Sequence, residues 1–394
     1  MKNIRLISLF AAILMILSCL GCSTEAPEET TEPIEQTESP DIPTSSEIVE
    51  TVIEVTEPKL PEYTGPSSEF KFTLGSVLSE ISYNDYNDFL AKCEKSYLVP
   101  ALVEKMVPQG MDIWEERGWL MISGYFDDAT TSDCSVLLAV DMETGAYVGE
   151  YYITNTDGTP HTSHAGGVAI TEKNIYISSN YHLYRIPLEE VLNAGQCGKI
   201  TIADAFEVPV RSSFCNYSEG YLWVGDFQYG NSYPTKKYQN MKNRDGLMYC
   251  AWTVGYELDD TTENGIKASA MVDGSYATPD IIFSMTEKIQ GFAVVGNKVA
   301  LSQSYGRTAP ASILLYENPI GTEAHKTTKV NGVEVPTYFL DKQQLSSFVI
   351  APPMSEGLAA MDGKLYILFE SGADKYANDG GKDPTENVWI MKIN

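Results

Sequence analysis

Basic residues are scarce in this chain: 27 Lys and Arg stand against 54 Asp and Glu, giving a formal net charge of −27 over 394 residues. Phosphate binding needs a basic stripe, so nucleic acid is not an expected partner. An anionic lipid surface would likewise repel the bare chain. Only four histidines are present. Gly-x-Ser-x-Gly, His-Glu-x-x-His and a phosphate-cradling Gly-rich loop are absent, and with them the corresponding nucleophile, metalloprotease and nucleotide chemistries. After Ser67, helical periodicity is confined to 86–94 and a turn at 188–192. No apolar run is long enough to span a bilayer.

The apolar run 6–17 follows Lys2 and Arg5 and has the length and flank of a signal peptide. Its end, Leu17-Ser18-Cys19-Leu20-Gly21-Cys22, resembles a bacterial lipobox, which implies lipidation of Cys22 or, as the alternative, Cys19. Gly21 before Cys22 is the better small residue, whereas Ile16 is the better aliphatic residue three positions ahead of Cys19. Buried acyl chain contributes about 0.8 kcal/mol per methylene. Residues 22–69 are rich in Thr, Pro and Glu, with Lys59 as their one basic residue. Such a segment buries too little to fold, and its prolines and like charges extend it. The expected organisation is a signal peptide over 1–21, a disordered tether over 22–69 and a folded domain over 70–394. That places the domain outside the cell, lipid-anchored to the outer face of the cytoplasmic membrane.

From Met106 onward one pattern recurs five times: a polar residue, a small-residue step and an apolar run. The openings are Gln109-Gly110-Met111, His164-Ala165-Gly166, Arg211-Ser212-Ser213, Gln290-Gly291-Phe292 and Glu356-Gly357-Leu358. Each is followed at hairpin distance by a second apolar strand at 120–123, 175–178, 222–225, 299–302 and 365–368. Third strands are expected at 136–141, 183–187, 251–258, 313–317 and 388–393, and fourth strands at 146–153, 200–208, 280–285 and 347–351. Repeats of this size define a β-propeller. The expected fold is all-β with five blades, or six if 229–277 hides another. The chain stops before a fourth strand of the last unit, so 96–106 is expected to supply it and close the ring.

Inner strands run beside a central channel, which gathers the opening residues Gln109, His164, Arg211 or Ser213, Gln290 and Glu356. Loops after the second strands add Asp226, Gln303, Tyr305, Arg307 and Glu370 on one rim. Glu356 is the candidate acid or base, with its pKa raised by burial, and His164 or Arg211 would orient a small substrate. The pair His161 and His164 has a spacing that reaches one cation. A hard divalent cation on Glu356, Asp226 and Glu370 is the other reading of these carboxylates.

Two resemblances follow from these residues. Gln109-Gly110-Met111, Ser123-Gly124-Tyr125 and Val140-Asp141-Met142-Glu143-Thr144-Gly145, with Glu356-Gly357-Leu358 and Phe369-Glu370-Ser371-Gly372, resemble parts of the five-bladed glutaminyl cyclases of plants and bacteria. This resemblance implies a small-substrate enzyme working in the channel. Where that family carries a glutamate before Ser-Thr-Gly, this chain reads Ile122-Ser123-Gly124. Leu301-Ser302-Gln303-Ser304-Tyr305-Gly306-Arg307 and Pro353-Met354-Ser355-Glu356-Gly357 resemble exported bacterial β-propeller lipoproteins, which implies fold and address but no activity.

Apart from Cys19 and Cys22, the cysteines are 93, 134, 197, 215 and 250, an odd number. Cys134 and Cys197 sit in loop-like sequence and are the expected candidates for pairing, with Cys93 as an alternative partner, in an oxidising compartment. Tyrosines 229, 233, 238 and 276 with Trp252 gather in the third unit, where aromatic rings suit contact with a glycan or protein. Two functional expectations stand. One is a surface binding or scaffold module for a glycan, peptide or protein; the other is an enzyme with a small-molecule site in the channel.

Overall fold

Five blades surround one axis in the computed structural model, which describes residues 71–78, 85–127 and 134–393. The expected signal peptide, lipidation cysteines and tether lie outside the described residues. Blade one comprises Met106–Trp114, Trp119–Phe126, Val136–Asp141 and Tyr147–Thr154, and blade two Gly167–Ile170, Asn174–Ser179, His182–Pro187 and Asp204–Glu207. Blade three comprises Phe214–Ser218, Tyr221–Gly225, Ala251–Glu257 and Ile281–Met285, and blade four Ile289–Val295, Lys298–Gln303, Ala311–Glu317 and Leu345–Ala351. Blade five has Ser355–Met361, Lys364–Phe369 and Asn387–Lys392.

Beside Asn387–Lys392 runs Cys93–Leu98, antiparallel, with Cys93 opposite Met391. This outer strand lies ahead of the expected 96–106, because left-handed turns at Ala101 and Lys105 swing the chain away and Met106 already opens blade one. The expected strand 200–208 is in fact two. Cys197–Thr201 runs parallel to Tyr147–Thr154 as an added edge of blade one, and Asp204–Glu207 alone joins blade two. The split follows the packing: Ile200 and Ile202 enter one apolar core, whereas Phe206 and Val208 enter another. The stretch 229–277 holds no sixth blade. Besides the third strand of blade three it carries two short strand pairs, Met241–Lys242 with Met248–Tyr249 and Met271–Val272 with Tyr276–Ala277.

The repeated small residue has a steric cause. Each inner strand packs its backbone onto its neighbour's, and a Cβ on Gly110 would stand 2.5 Å from the Gly167 Cα. A Cβ on Gly291 would stand 2.5 Å from the Glu356 carbonyl oxygen. Opposite these glycines the second strand places a serine: Gly110 faces Ser123, Gly167 faces Ser178 and Gly291 faces Ser302. Blade three inverts the pair, with Phe214 facing Gly225.

Between the inner strands one carboxylate is wholly enclosed. Asp112 accepts from Ile113 N at 2.9 Å and Asn216 Nδ2 at 3.3 Å on one oxygen, and from Ile170 N at 2.8 Å and Tyr217 N at 3.1 Å on the other. Asn216 Nδ2 also donates to the Leu358 carbonyl at 3.3 Å, and the neighbouring Ser218 Oγ accepts from Val294 N at 3.1 Å. One polar layer thereby joins all five inner strands. Burial pushes the Asp112 carboxyl up to about 8, against backbone donors that favour its charged form.

The cysteine expectation is corrected here. Continuing the strand register sets Cys134 opposite Thr154, four residues along the same strand from Glu150, which pairs with Cys197. At about 3.3 Å per residue the offset is roughly 13 Å before the width of a strand is added, beyond disulfide reach. None of the five described cysteines is joined in a disulfide.

Replacing Asp112 with Ala leaves the Ile170 and Tyr217 amides and the Asn216 side chain without their acceptor. Each orphaned buried donor costs about 1–3 kcal/mol, so urea unfolding is expected to register a loss of at least about 3 kcal/mol. A loss under about 1 kcal/mol, the ordinary effect of a substitution, would contradict the role given to this residue.

Candidate functional site

Three of the five opening residues owe their orientation to a backbone irregularity. The ladder of blade one skips Gln109, that of blade four skips Gln290, and that of blade five is interrupted between Ser355 and Leu358, where Glu356 lies. A bulge re-aims the unpaired side chain. All three side chains border a cavity of about 660 Å³ at one end of the channel. Blades two and three have no such bulge, and Gly166 and Ser213 hold the positions just ahead of their inner strands. His164 and Arg211 reach the same cavity from two residues further upstream.

Glu356 is 4% exposed and accepts from Gln290 Nε2 at 2.7 Å. Glu370, just after the second strand of blade five and partly open to the cavity, accepts from Gln109 Nε2 at 3.1 Å. The two carboxyls hydrogen-bond to each other. Burial, and next the charge of Glu370, hold the Glu356 carboxyl well above the usual carboxylate range. Burial raises Glu370 as well, countered by its bonds from Gln109, Glu356 and Tyr376. The raised carboxyls therefore share a proton between them.

Cations and aromatic rings complete the wall. Lys375 pairs with Asp127 at 3.0 Å and lies over the rings of Tyr125 and Tyr376. The His164 ring packs on Tyr125 at 4.7 Å, and burial, then the Lys375 charge, lowers its pKa and keeps it neutral. Arg307 pairs with Asp379 at 3.1 Å and rests over Tyr376. Tyr305 stacks on Tyr229 with centroids 4.4 Å apart, and Arg211 stands over Tyr233 at 5.9 Å.

The cavity brings together Glu356, His164, Arg211, Gln109, Gln290, Tyr305, Arg307 and Glu370 of the expected residues. It does not include Asp226, which is fully buried beneath the rim and accepts from Arg211 N at 2.5 Å, Trp252 N at 3.1 Å and the Gln239 amide. Asp226 thus fixes the segment that carries Arg211; burial raises its carboxyl to about 7. Gln303 also lies outside, donating to the Glu287 carbonyl at 2.9 Å. His161 faces away: its ring nitrogens are taken by Asn155 at 2.9 Å and by Ser163, so it shares no cation with His164. Among the described residues no three His, Cys, Asp or Glu side chains gather as a metal site requires. Tyr376 and Phe227 were not foreseen. Phe227 lies in a loop, and Tyr376 on the short helix Asp374–Ala377, each following a second strand, the position that had already pointed to Tyr305 and Glu370.

No protein-family model and no curated protein sequence matches the chain. Solved structures similar to it are propeller-type proteins. They include the glutaminyl cyclase of Myxococcus xanthus, at 11% identity and TM-score 0.36 over 77% of this chain and 96% of that one. BamB from Moraxella catarrhalis is 10% identical, with TM-score 0.30 over 73% of this chain and 85% of its own. The likeness concerns the chain path alone; the five-blade assignment stands on the strand pairing.

A carboxyl whose folded-state pKa is raised keeps its proton where the unfolded chain has lost it. Its contribution to stability is therefore complete below the unfolded carboxyl range near about pH 4 and is lost as pH rises through the folded-state values. Asp112 and Asp226 add to the same slope. The Glu356→Gln variant is expected to lose less stability than the parent between about pH 5 and 8, read by urea unfolding at each pH. Equal slopes would contradict the shared proton.

Proposed function

We propose that this protein is a lipid-anchored, cell-surface β-propeller with an enzyme-type site, in which the channel mouth binds a small polar molecule and the Glu356–Glu370 pair exchanges a proton with it. The observation that carries the reading is a buried, hydrogen-bonded carboxyl pair facing an open cavity and forming no ion pair among the described residues. Such a pair supplies an acid and a base side by side, the arrangement general acid–base catalysis needs at neutral pH. Gln109 and Gln290 orient the two carboxyls, and neutral His164 offers a further acceptor or donor. The anchor rests on the lipobox-like Leu20-Gly21-Cys22 and the acidic tether behind it.

A second reading, a docking module for a surface partner, is favoured by one feature. Tyr238, Leu247 and Met248 on the blade-three insertion are 53%, 61% and 58% exposed, more apolar exposure than an insertion needs for its own folding.

Thermal melts against amino acids, sugars, sugar acids and divalent ions test the site. A ligand at a hundredfold excess over its Kd stabilises by about 2.7 kcal/mol. The expected outcome is a compound that raises the melting temperature of the parent and not of Glu356→Gln, and that is turned over by the parent alone. If nothing shifts, while Leu247→Ser with Met248→Ser abolishes capture of a surface protein, the docking reading replaces this one. For the anchor, Cys22→Ala is expected to release the chain from membranes and to end acyl labelling. Retention with labelling moved to Cys19 would reassign the modified residue.

A further inference from the structure

The cavity has two unlike sides. Glu356 and Glu370 belong to blade five, and Arg211 enters at blade three, which in a ring of five is not a neighbour of blade five. Arg185, Arg244 and Arg307 each meet a carboxylate at 2.5–3.1 Å. Arg211 forms no ion pair among the described residues; its guanidinium rests over the Tyr233 ring, with buried Asp226 close enough to feel its charge. The backbone behind it is fastened: Arg211 N donates to buried Asp226, its carbonyl accepts from Tyr181 N at 3.0 Å, and Ser212 is held left-handed at φ 51°. A serine keeps such a conformation only where the surroundings enforce it. The fold thus presents an unpaired guanidinium to an open cavity.

Between the guanidinium and the carboxyl pair stands an aromatic surface. Tyr305 lines the cavity with 42% of its surface exposed and is braced from behind by Tyr229. A ring of this kind packs on an apolar C–H face, and Ser213 and Asn180 elsewhere on the cavity wall supply hydrogen-bonding groups. The volume suits a molecule of one or two sugar rings. One planar guanidinium matches one planar carboxylate in a two-bond fork. A doubly charged phosphate would find no second unpaired cation among the described residues lining the cavity, since Arg307 is paired with Asp379, and would face the carboxyl pair.

Resting on the reading of the channel mouth as a small-molecule site, we propose that its ligand is a sugar acid: a pyranose bearing one carboxylate, with the carboxylate on Arg211, the ring against Tyr305 and the hydroxyl groups toward the Glu356–Glu370 pair.

The test is calorimetric titration of the full chain with glucuronate, galacturonate, glucose and inorganic phosphate, on the parent and on Arg211→Gln and Tyr305→Ala. Asp226 is hydrogen-bonded to the backbone amide of residue 211 and not to its side chain, so Arg211→Gln is expected to melt close to the parent. The expected result is that one of the two sugar acids binds at least tenfold tighter than glucose. Arg211→Gln should abolish that preference, and Tyr305→Ala should weaken sugar acid and glucose alike. Glucose binding as tightly as the acids, an unchanged preference in Arg211→Gln, or preferential phosphate binding would each overturn the proposal. If neither sugar acid binds while another compound does so in a Glu356-dependent way, the sugar-acid assignment falls and the small-molecule site stands. If no compound of any class binds, both fall.

Discussion

A propeller must fill its own axis, and here a single buried carboxylate does it. Inner strands that converge on a channel bring backbone amides to a place where no sheet partner reaches them. Asp112 accepts from strands of blades one, two and three, and Asn216 beside it reaches blade five. Burying a polar group is expensive, and the cost is offset only when hydrogen-bond partners surround it. The layer therefore fixes the mutual rotation of the blades more tightly than apolar contact alone, which tolerates sliding. Gln109 lies three residues from Asp112 on the same strand, so the cavity sits about 10 Å above this plug and inherits its rigidity.

Much of this architecture is legible in the chain because the features that position a blade are local. Second and third strands were readable from short apolar runs between turns, and glycine at 110, 291 and 357 marked where backbones touch. What was not legible depended on partners distant in sequence. The strand Cys197–Thr201 follows a helix, Leu188–Ala194, and returns to blade one, a choice made by the core that Ile200 enters and not by its own composition. Blade one likewise gave no sign in sequence that its neighbour's polar opening would be displaced by two residues, since His164 and Gly166 read equally well as the start of the unit.

The site shows the same division. Glu356 and Glu370 could each be named from its place in the repeat, as could Arg211. That the two carboxyls meet follows from the interruption between Ser355 and Leu358, and a bulge is a property of two strands together. Asp226 was drawn to the rim by its loop position, yet hydrophobic packing closed over it, and its three donors make it a fastening for Arg211. A carboxylate in a rim loop is thus assigned to ligand or scaffold by what donates to it, which the chain alone does not state.

Three unfavourable features converge on one cavity. A buried like-charge pair destabilises the fold unless a proton bridges it. A cation without an anion forgoes the stabilisation that its counterparts at 185, 244 and 307 obtain. Residues other than glycine at Asn180, Ser212 and Met354 hold positive φ along the same wall, each at a cost of about 1–3 kcal/mol. Elsewhere the inner strands pack glycine against serine, so local and global preferences agree. A carboxyl pair and an unpaired guanidinium at the end of the channel, apart from the plug, have no role in holding the blades together. This is the pattern expected when a fold is kept stable by its axis and held away from its stability optimum at the place where it meets a ligand.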